Sequence, residues 1–292
     1  VFFMVPSAVP ATDVETNGCG EFLASDMMKY VDNARVLGLG ETMRFMECCE
    51  GEKRMADKLE LFAKKHIDGH APGIRGKEVQ AYRLAGVEND HECSTAEEVL
   101  DKLRAGLHIY VREGSGAKNL ETLIKTMLDA GVCLDRCAFC TDDKHVEEIR
   151  KEGHISTCIR KAIALGVPVA KAYKMGSYQA AEFYGLKNYG AIGAGYRADI
   201  VFLDDLEQVR PLDVMKDGRI LTEEDYAKDY SVPVPDELLH TVHVGEVTKE
   251  KIRLSCDGKT DVIQMNPHQI VTTHLVEEVP TENGYFKSDG VY

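Results

Sequence analysis

The chain has 292 residues, of which 44% are hydrophobic and 29% are charged, proportions that are ordinary for a soluble globular enzyme. Its net charge of −14 argues against a nucleic-acid backbone as a partner, because proteins that bind one usually present a basic face. No apolar run approaches the ~18–20 residues that a membrane span requires. The nine cysteines lack the dense, even spacing of a disulfide framework. We therefore expect a cytoplasmic protein with neither nucleic-acid nor membrane partners.

Strand-like and helix-like segments alternate along the first two thirds of the chain. Continuous apolar runs indicate strands buried on both faces, as in a parallel sheet, and helical spacing of apolar residues indicates the segments between them. A capping box at Thr95 and Glu98 predicts one helix start. The predicted strands are residues 1–5, 35–41, 66–70, 87–91, 107–111 and 137–140. The predicted helices are 25–33, 52–65, 77–85, 96–105, 120–130, 155–165 and one from Pro168 to about residue 183.

The character of the sequence changes near Gly190. A glycine-rich turn leads into a β-branched strand that ends at Leu203, and short strand-like segments follow at 239–244, 252–254 and 262–265. We predict a separate, mainly β region there. Cys137 and Cys140 form a C-x-x-C pair, but they lie in a strand-like run, so we interpret them as small buried hydrophobic residues rather than a redox or zinc site.

Residues with catalytic chemistry recur where a predicted strand gives way to a loop. They are spaced about 21 to 30 residues apart, at Glu41, His70, His91, Arg112 and Asp142. A (β/α)8 barrel averages ~31 residues per unit and carries its active site at the carboxyl ends of its strands. A doubly wound open sheet would gather its ligands at one switch point instead. Contributions from four or five strands therefore favour a barrel.

Glu41, His70, His91 and Asp142 offer nitrogen and carboxylate oxygen without thiolate. Such a set suits a catalytic divalent ion (zinc, iron or manganese) that keeps one position open for water. The ion lowers the pKa of that water and creates a hydroxide nucleophile. Asp142 could then take the proton and return it to a leaving group, and Glu41 could bridge two ions.

Each of these residues also has a structural interpretation. A single histidine such as His70 or His91 is commonly a surface or core group, and Asp142 could begin a helix as its N-cap. We interpret His108, His145 and His154 as structural, because they lack the strand-end context.

Several motifs in the same order resemble the bacterial adenine deaminases of the amidohydrolase superfamily. The segment 195–201 is similar to that superfamily's return into its flanking β-sandwich. The motifs are Val5-Pro6-Ser7-Ala8-Val9-Pro10-Ala11-Thr12, Gly38-Leu39-Gly40-Glu41, Ile67-Asp68-Gly69-His70-Ala71-Pro72-Gly73, Asp90-His91-Glu92-Cys93, Arg112-Glu113-Gly114-Ser115 and Phe139-Cys140-Thr141-Asp142-Asp143.

The resemblance implies hydrolytic deamination of adenine to hypoxanthine and ammonia by a distorted TIM barrel with a binuclear metal site, most naturally iron(II) or manganese. Glu41 would be the bridging carboxylate, His70 and His91 the histidines of strands five and six, and Asp142 the aspartate of strand eight. To this we add our own expectation that a residue group at the end of strand seven contacts the purine. That group is Arg112, Glu113 and Ser115.

One feature of the superfamily is absent, since the ten histidines include no His-x-His pair. By the order of its motifs the chain begins at strand three, so we expect a fragment that is inactive alone and a full-length protein that is a homo-oligomer. The implied domains are a partial barrel of strands three to eight (1–189), a β-sandwich return (190–230) and a truncated, mainly β C-terminal domain (231–292). Two alternatives stay open: another amidohydrolase acting on a cyclic amide or a different amino-purine, and a non-catalytic barrel that has lost its metal.

Overall fold

A computed structural model describes residues 1–12, 20–240 and 243–290 of the chain. Two compact units are distinguished by their internal contacts. The first comprises Val1–Tyr226 together with His268–Ile270, and the second comprises Ala227–Pro267 and the residues from Val271 onward.

The first unit contains two three-stranded parallel sheets whose strands alternate with helices. In the first sheet β2 (Val36–Thr42) lies between β1 (Phe3–Pro6) and β3 (His66–Gly69). In the second, β5 (His108–Arg112) lies between β4 (Asn89–Asp90) and β6 (Cys137–Cys140). The two sheets adjoin, since the N–H of Glu88 donates to the carbonyl oxygen of Ile67 at 3.0 Å.

Helices connect the successive strands and continue after the last one. The structure gives their bounds as α1 (Ala24–Val31), α2 (Phe45–Glu50), α3 (Lys53–Leu61), α4 (Lys77–Leu84), α5 (Ala96–Arg104), α6 (Leu120–Asp129), α7 (Val146–Glu152), α8 (Ile155–Ala164), α9 (Val169–Gly176) and α10 (Tyr178–Phe183). A 3₁₀ turn, Leu134–Arg136, precedes β6. Among the described residues, no helix combines the length and apolar character needed to cross a membrane.

Alternate residues of each strand face either the apolar core or the space at the candidate site. On β5, Ile109 and Val111 are completely buried in an apolar cluster that includes Leu123 and Ile124 of α6. Neighbouring residues of a strand point to opposite faces, so Tyr110 and Arg112 project away from this cluster. A second apolar cluster packs against the first sheet around residues such as Leu39 and Ile67. The polar residues of the strands therefore face away from the two apolar clusters and towards the same side of the sheets.

The remaining elements are mainly short. In the first unit β7 (Ile200–Leu203), β8 (Pro211–Lys216) and β9 (Arg219–Ile220) form an antiparallel sheet, followed by α11 (Glu223–Ala227) at the border between the units. The second unit contains α12 (Asp236–Leu239), α13 (Lys249–Ile252), the antiparallel pair β10 (Lys259–Met265) and β11 (Thr272–Glu278), and the short pair β12 (Thr281–Glu282) and β13 (Tyr285–Phe286).

Most predicted elements of the first unit are confirmed, including the capping box at Thr95 and the strand 137–140. The single helix expected from Pro168 is wrong, because the chain breaks at Ser177 and forms two helices. Helix α2 was not predicted. The strand expected at 252–254 is also wrong, since a helix occupies 249–252. The strand expected at 239–244 is wrong as well, since Leu239 ends α12 and residues 240, 243 and 244 lie in no strand. Residues 241–242 of that segment, and Cys19 among the cysteines, lie outside the described residues.

Candidate metal centre

The carboxyl ends of the strands bring together the four residues predicted to bind metal. Glu41 is the penultimate residue of β2, and His70 and His91 directly follow β3 and β4. Asp142 lies two positions beyond β6. Parallel strands present their carboxyl ends on one side of a sheet, which explains why residues so distant in sequence converge.

One group of candidate ligands consists of Glu41, His70 and His91. The Oε2 atom of Glu41 lies 3.0 Å from Nδ1 of His70, and Oε1 lies 3.7 Å from Nε2 of His91. The two imidazole rings are 5.3 Å apart at 74° to one another. One ligand atom from each residue falls within 4.8 Å of the others, close enough to share one ion.

A second group consists of His91, Glu92 and Asp142. The Nε2 atom of His91 lies 3.2 Å from Oε1 of Glu92 and 3.7 Å from Oδ2 of Asp142. His91 therefore belongs to both groups. Glu92 was missed as a candidate ligand, although it adjoins His91 in the quoted Asp90-His91-Glu92 motif. A carboxylate next to a strand-end histidine was the signal available in the sequence.

The charges of the centre favour ionised carboxylates. The hydrogen bond from His70 lowers the pKa of Glu41, outweighing the opposing effect of burial. Burial alone would raise the pKa of Asp142, but the hydrogen bond from Arg112 and the nearby His91 bring it below its usual value. The pKa of His70 is raised, since its contacts with Glu41 and Glu92 outweigh burial.

The donor set fits a divalent ion. It offers imidazole nitrogen and carboxylate oxygen, and among the described residues no thiol belongs to either ligand group; burial raises the pKa of the nearby Cys140 and keeps its thiol protonated. Nitrogen and oxygen donors of this kind suit zinc, iron or manganese. Glu41 keeps 46% of its side chain exposed, so the centre is open to a water or a small molecule.

A cavity of about 220 Å³ adjoins both ligand groups. Asp68, on the same face of β3 as His70, lies in its wall and accepts hydrogen bonds from the Tyr184 hydroxyl, at 2.9 Å, and from the Asn89 amide. Burial raises the pKa of Asp68. The sequence analysis did not identify Asp68, Asn89 or Tyr184 as residues of the site. The cavity is lined by Glu41, Asp68, Asn89, His91, Tyr110, Phe139, Cys140, Asp142 and Tyr184.

Residues 50–221 match the model of the amidohydrolase family, which is more than half of the chain. The chain belongs to the amidohydrolase family. Its structure resembles that of a β-aspartyl dipeptidase from Fervidobacterium islandicum AW-1, with a TM-score of 0.52 and 18% identity, covering 71% of this chain and 63% of that one. An amidohydrolase-type α/β fold is thereby confirmed.

Curated relatives of this amidohydrolase resemble it along its whole length. An adenine deaminase of Desulfitobacterium hafniense (strain Y51) is 41% identical over 293 residues, which are 100% of this chain and 51% of that protein. Adenine deaminase 2 of Carboxydothermus hydrogenoformans is 39% identical over 290 residues, which are 99% of this chain and 50% of the relative. The chain thus spans about half the length of the curated relatives it matches.

Arg112 of this amidohydrolase is buried beside the ligands. Its Nη1 donates to Oδ2 of Asp142 at 2.8 Å and also to the Glu92 carboxylate. The guanidinium therefore bridges two carboxylates of the second ligand group and holds them in place. Its predicted contact with a purine stays a prediction.

The other two residues predicted to contact substrate have protein partners of their own. Glu113 is buried and pairs with Lys161. The Ser115 hydroxyl donates to Glu148 and accepts the His145 N–H at 2.9 Å. Neither belongs to the two ligand groups.

A buried ion pair supports the loops of this amidohydrolase that carry the two histidines. The Lys102 ammonium donates to the Ala71 carbonyl oxygen at 2.7 Å and to Oδ1 of Asp90 at 3.0 Å. Asp90 also accepts the N–H groups of Ala71, at 2.9 Å, and of Glu92, at 2.8 Å. Asp90 precedes His91 and Ala71 follows His70, so one pair holds both exit loops. The sequence offered no sign of it beyond a lysine in a helix.

Proposed function

We propose that this chain carries part of a metal-dependent adenine deaminase, which converts adenine and water to hypoxanthine and ammonia. The observation that carries the proposal is the pair of ligand groups sharing His91, with Glu41 and His70 on one side and Glu92 and Asp142 on the other. Support for the substrate comes from relatives named adenine deaminase at about 40% identity. The finer form of the proposal is a binuclear centre of manganese or iron(II), with β1–β6 as strands three to eight of a TIM barrel.

The residues of the chain would divide the chemistry between them. A divalent ion, when bound, supplies the Lewis acidity that lowers the pKa of water towards neutrality. Glu41 would bridge the ions, and His70 and His91 would hold them in the orientation that the strand ends impose. Because Arg112 keeps the pKa of Asp142 low, this carboxylate is ionised and able to accept a proton.

In the proposed reaction, Asp142 transfers a proton from water to the leaving nitrogen. A bond forms between the water oxygen and C6 of adenine, and the bond from C6 to the exocyclic nitrogen breaks. Asp142 takes one proton from water and returns it to that nitrogen, which leaves as ammonia, while the second water proton stays with hypoxanthine, on N1 of its 6-oxo form. Contact of the purine with Arg112, Glu113 and Ser115 is part of the proposal. A Ser115→Ala variant should raise KM for adenine more than it lowers kcat.

Ammonia release from adenine tests the proposal directly. Both the 292-residue chain and the protein translated from its complete coding sequence should be stripped with a chelator and reloaded with Mn(II), Fe(II) or Zn(II). We expect activity from the complete protein after loading, and loss of at least about 100-fold in His91→Ala, because that residue serves both groups. His274→Ala is the matched control, since this exposed histidine pairs with Asp261 on the β10–β11 hairpin. Faster turnover of adenosine or guanine, or no metal-dependent activity with adenine, would refute the proposal.

A further inference from the structure

Tyr82 places a single polar atom beneath the first ligand group. This residue of α4 is completely buried within the apolar cluster of the first sheet. Its hydroxyl accepts the backbone N–H of His70 at 2.9 Å and donates to the carbonyl oxygen of Thr42 at 3.0 Å. The Thr42 side chain contacts the same hydroxyl and donates to the Asp68 carbonyl oxygen at 3.0 Å. One atom therefore joins the ends of β2 and β3.

The regular pairing of these two strands fails at this point. Leu39 pairs with Ile67, but the next register pair is Thr42 with Gly69, so β2 advances by three residues while β3 advances by two. Glu41 lies inside this irregular stretch. A bulge re-aims side chains, and it leaves the strands without the ladder bonds that would otherwise fix their relative position. The Tyr82 hydroxyl supplies a connection there.

We propose that Tyr82 is a positioning residue that sets the separation between the Glu41 carboxylate and the His70 imidazole. Thr42 follows Glu41 directly, and His70 is the residue whose N–H the hydroxyl holds. The 3.0 Å contact between Glu41 and His70 therefore depends on a side chain that touches neither of their functional groups. The consequence for metal binding rests on the proposed function, whereas the geometric claim does not.

Tyr82→Phe tests the proposal, because phenylalanine keeps the ring and its packing while removing the hydroxyl. Tyr173→Phe is the control. It also loses a tyrosine hydrogen bond, to the Leu206 carbonyl oxygen at 2.7 Å, but it lies outside both ligand groups. Two readouts are needed: Mn(II) affinity, followed by the electron paramagnetic resonance of free Mn(II), and crystal structures of both variants and the wild type.

We expect Tyr82→Phe to weaken Mn(II) binding about 10- to 100-fold, the usual range for a lost partner behind a metal ligand. Its crystal structure should show the contact between Glu41 and His70 opened beyond hydrogen-bonding distance. Tyr173→Phe should match the wild type in both readouts. A role in core stability alone would lower the free energy of unfolding and leave both readouts unchanged, and that result overturns the proposal.

Failure of the proposed function gives a different result. If the wild type binds no Mn(II), the crystal structures alone decide the role of Tyr82, and metal-dependent deamination by this centre is refuted if Fe(II) and Zn(II) do not bind either. An unchanged contact between Glu41 and His70 in Tyr82→Phe then overturns the positioning role, and an opened contact supports it.

Discussion

Replacing Lys102 with methionine should destabilise the first unit strongly. Lys102 and Asp90 are both fully buried, and the ammonium lies 3.0 Å from the aspartate and 2.7 Å from the Ala71 carbonyl oxygen. Burial alone would raise the pKa of Asp90, but Lys102 lowers it below its usual value, so the aspartate is ionised in the folded protein. Lys102→Met therefore leaves a buried negative charge without its counter-charge.

The expected loss is about 3 kcal/mol of the free energy of unfolding, at the lower end of the range for breaking a buried ion pair from one side. Two features set the lower end. Methionine fills most of the volume of the lysine stem, so the packing of α5 is largely preserved. Asp90 also keeps two backbone donors, the N–H groups of Ala71 and Glu92.

Urea denaturation of the metal-free protein, followed by circular dichroism, measures this loss. Lys125→Met is the matched control, because that lysine is 56% exposed and pairs with Glu121 one helical turn away. Its cost should stay within about 0.5 kcal/mol. The double variant Asp90→Asn with Lys102→Met should lose less than the two single variants together, since neither charge remains. A loss in Lys102→Met no larger than that of the control would refute the reasoning.

Three further predictions concern single side chains of the first unit. Burial raises the pKa of Glu98, but hydrogen bonds from backbone N–H groups outweigh it and lower the pKa overall. Glu98→Gln should therefore cost about 2 kcal/mol at pH 7. The difference should begin to shrink below the unfolded pKa of about 4.3 and should be lost only when the pH has also fallen through the lower folded pKa, which acid titration of both proteins measures. Tyr110→Phe should change the thermal stability little, because its buried hydroxyl forms no hydrogen bond of ordinary geometry with the described residues and has only the nearby Tyr184 hydroxyl to interact with weakly; a clear drop in Tm contradicts this. In Gly69→Ala the new Cβ would lie 2.1 Å from the Asn89 carbonyl oxygen, so a loss of roughly 3 kcal/mol is expected. Gly116→Ala, whose Cβ would meet nothing within 4 Å, should cost little, and equal losses in the two variants would exclude the clash.

Local patterns in the sequence predicted those parts of the fold that depend on neighbouring residues. The strand 137–140 and the capping box at Thr95 are examples, since apolar runs and caps act over a few positions. The break at Ser177 was not predicted, and the segment 252–254 was misassigned. A short apolar segment is compatible with helix or strand, and its packing decides between them.

The two ligand groups likewise combine residues that the sequence identified with contacts that only the structure revealed. Strand-end position identified His91, whereas the contacts of Glu92 with Arg112 and of Asp68 with Asn89, each on another strand, became visible only in the structure. Lys102 and Tyr82 were assigned to helices with no indication that their polar atoms reach the exit loops of β2, β3 and β4. Their partners lie 12 to 40 positions away, beyond the reach of any local pattern.

The sequence by itself determined the donor chemistry and the alternation that sends Glu41, His70, His91 and Asp142 to one side of the sheet. Both follow from residue type and from the fixed period of strands and helices. Only the tertiary structure decided that His91 is shared between two groups and that Arg112 bridges Glu92 and Asp142. Such contacts depend on strand register and on the irregular pairing at Glu41, where a shift of one residue turns a side chain to the opposite face.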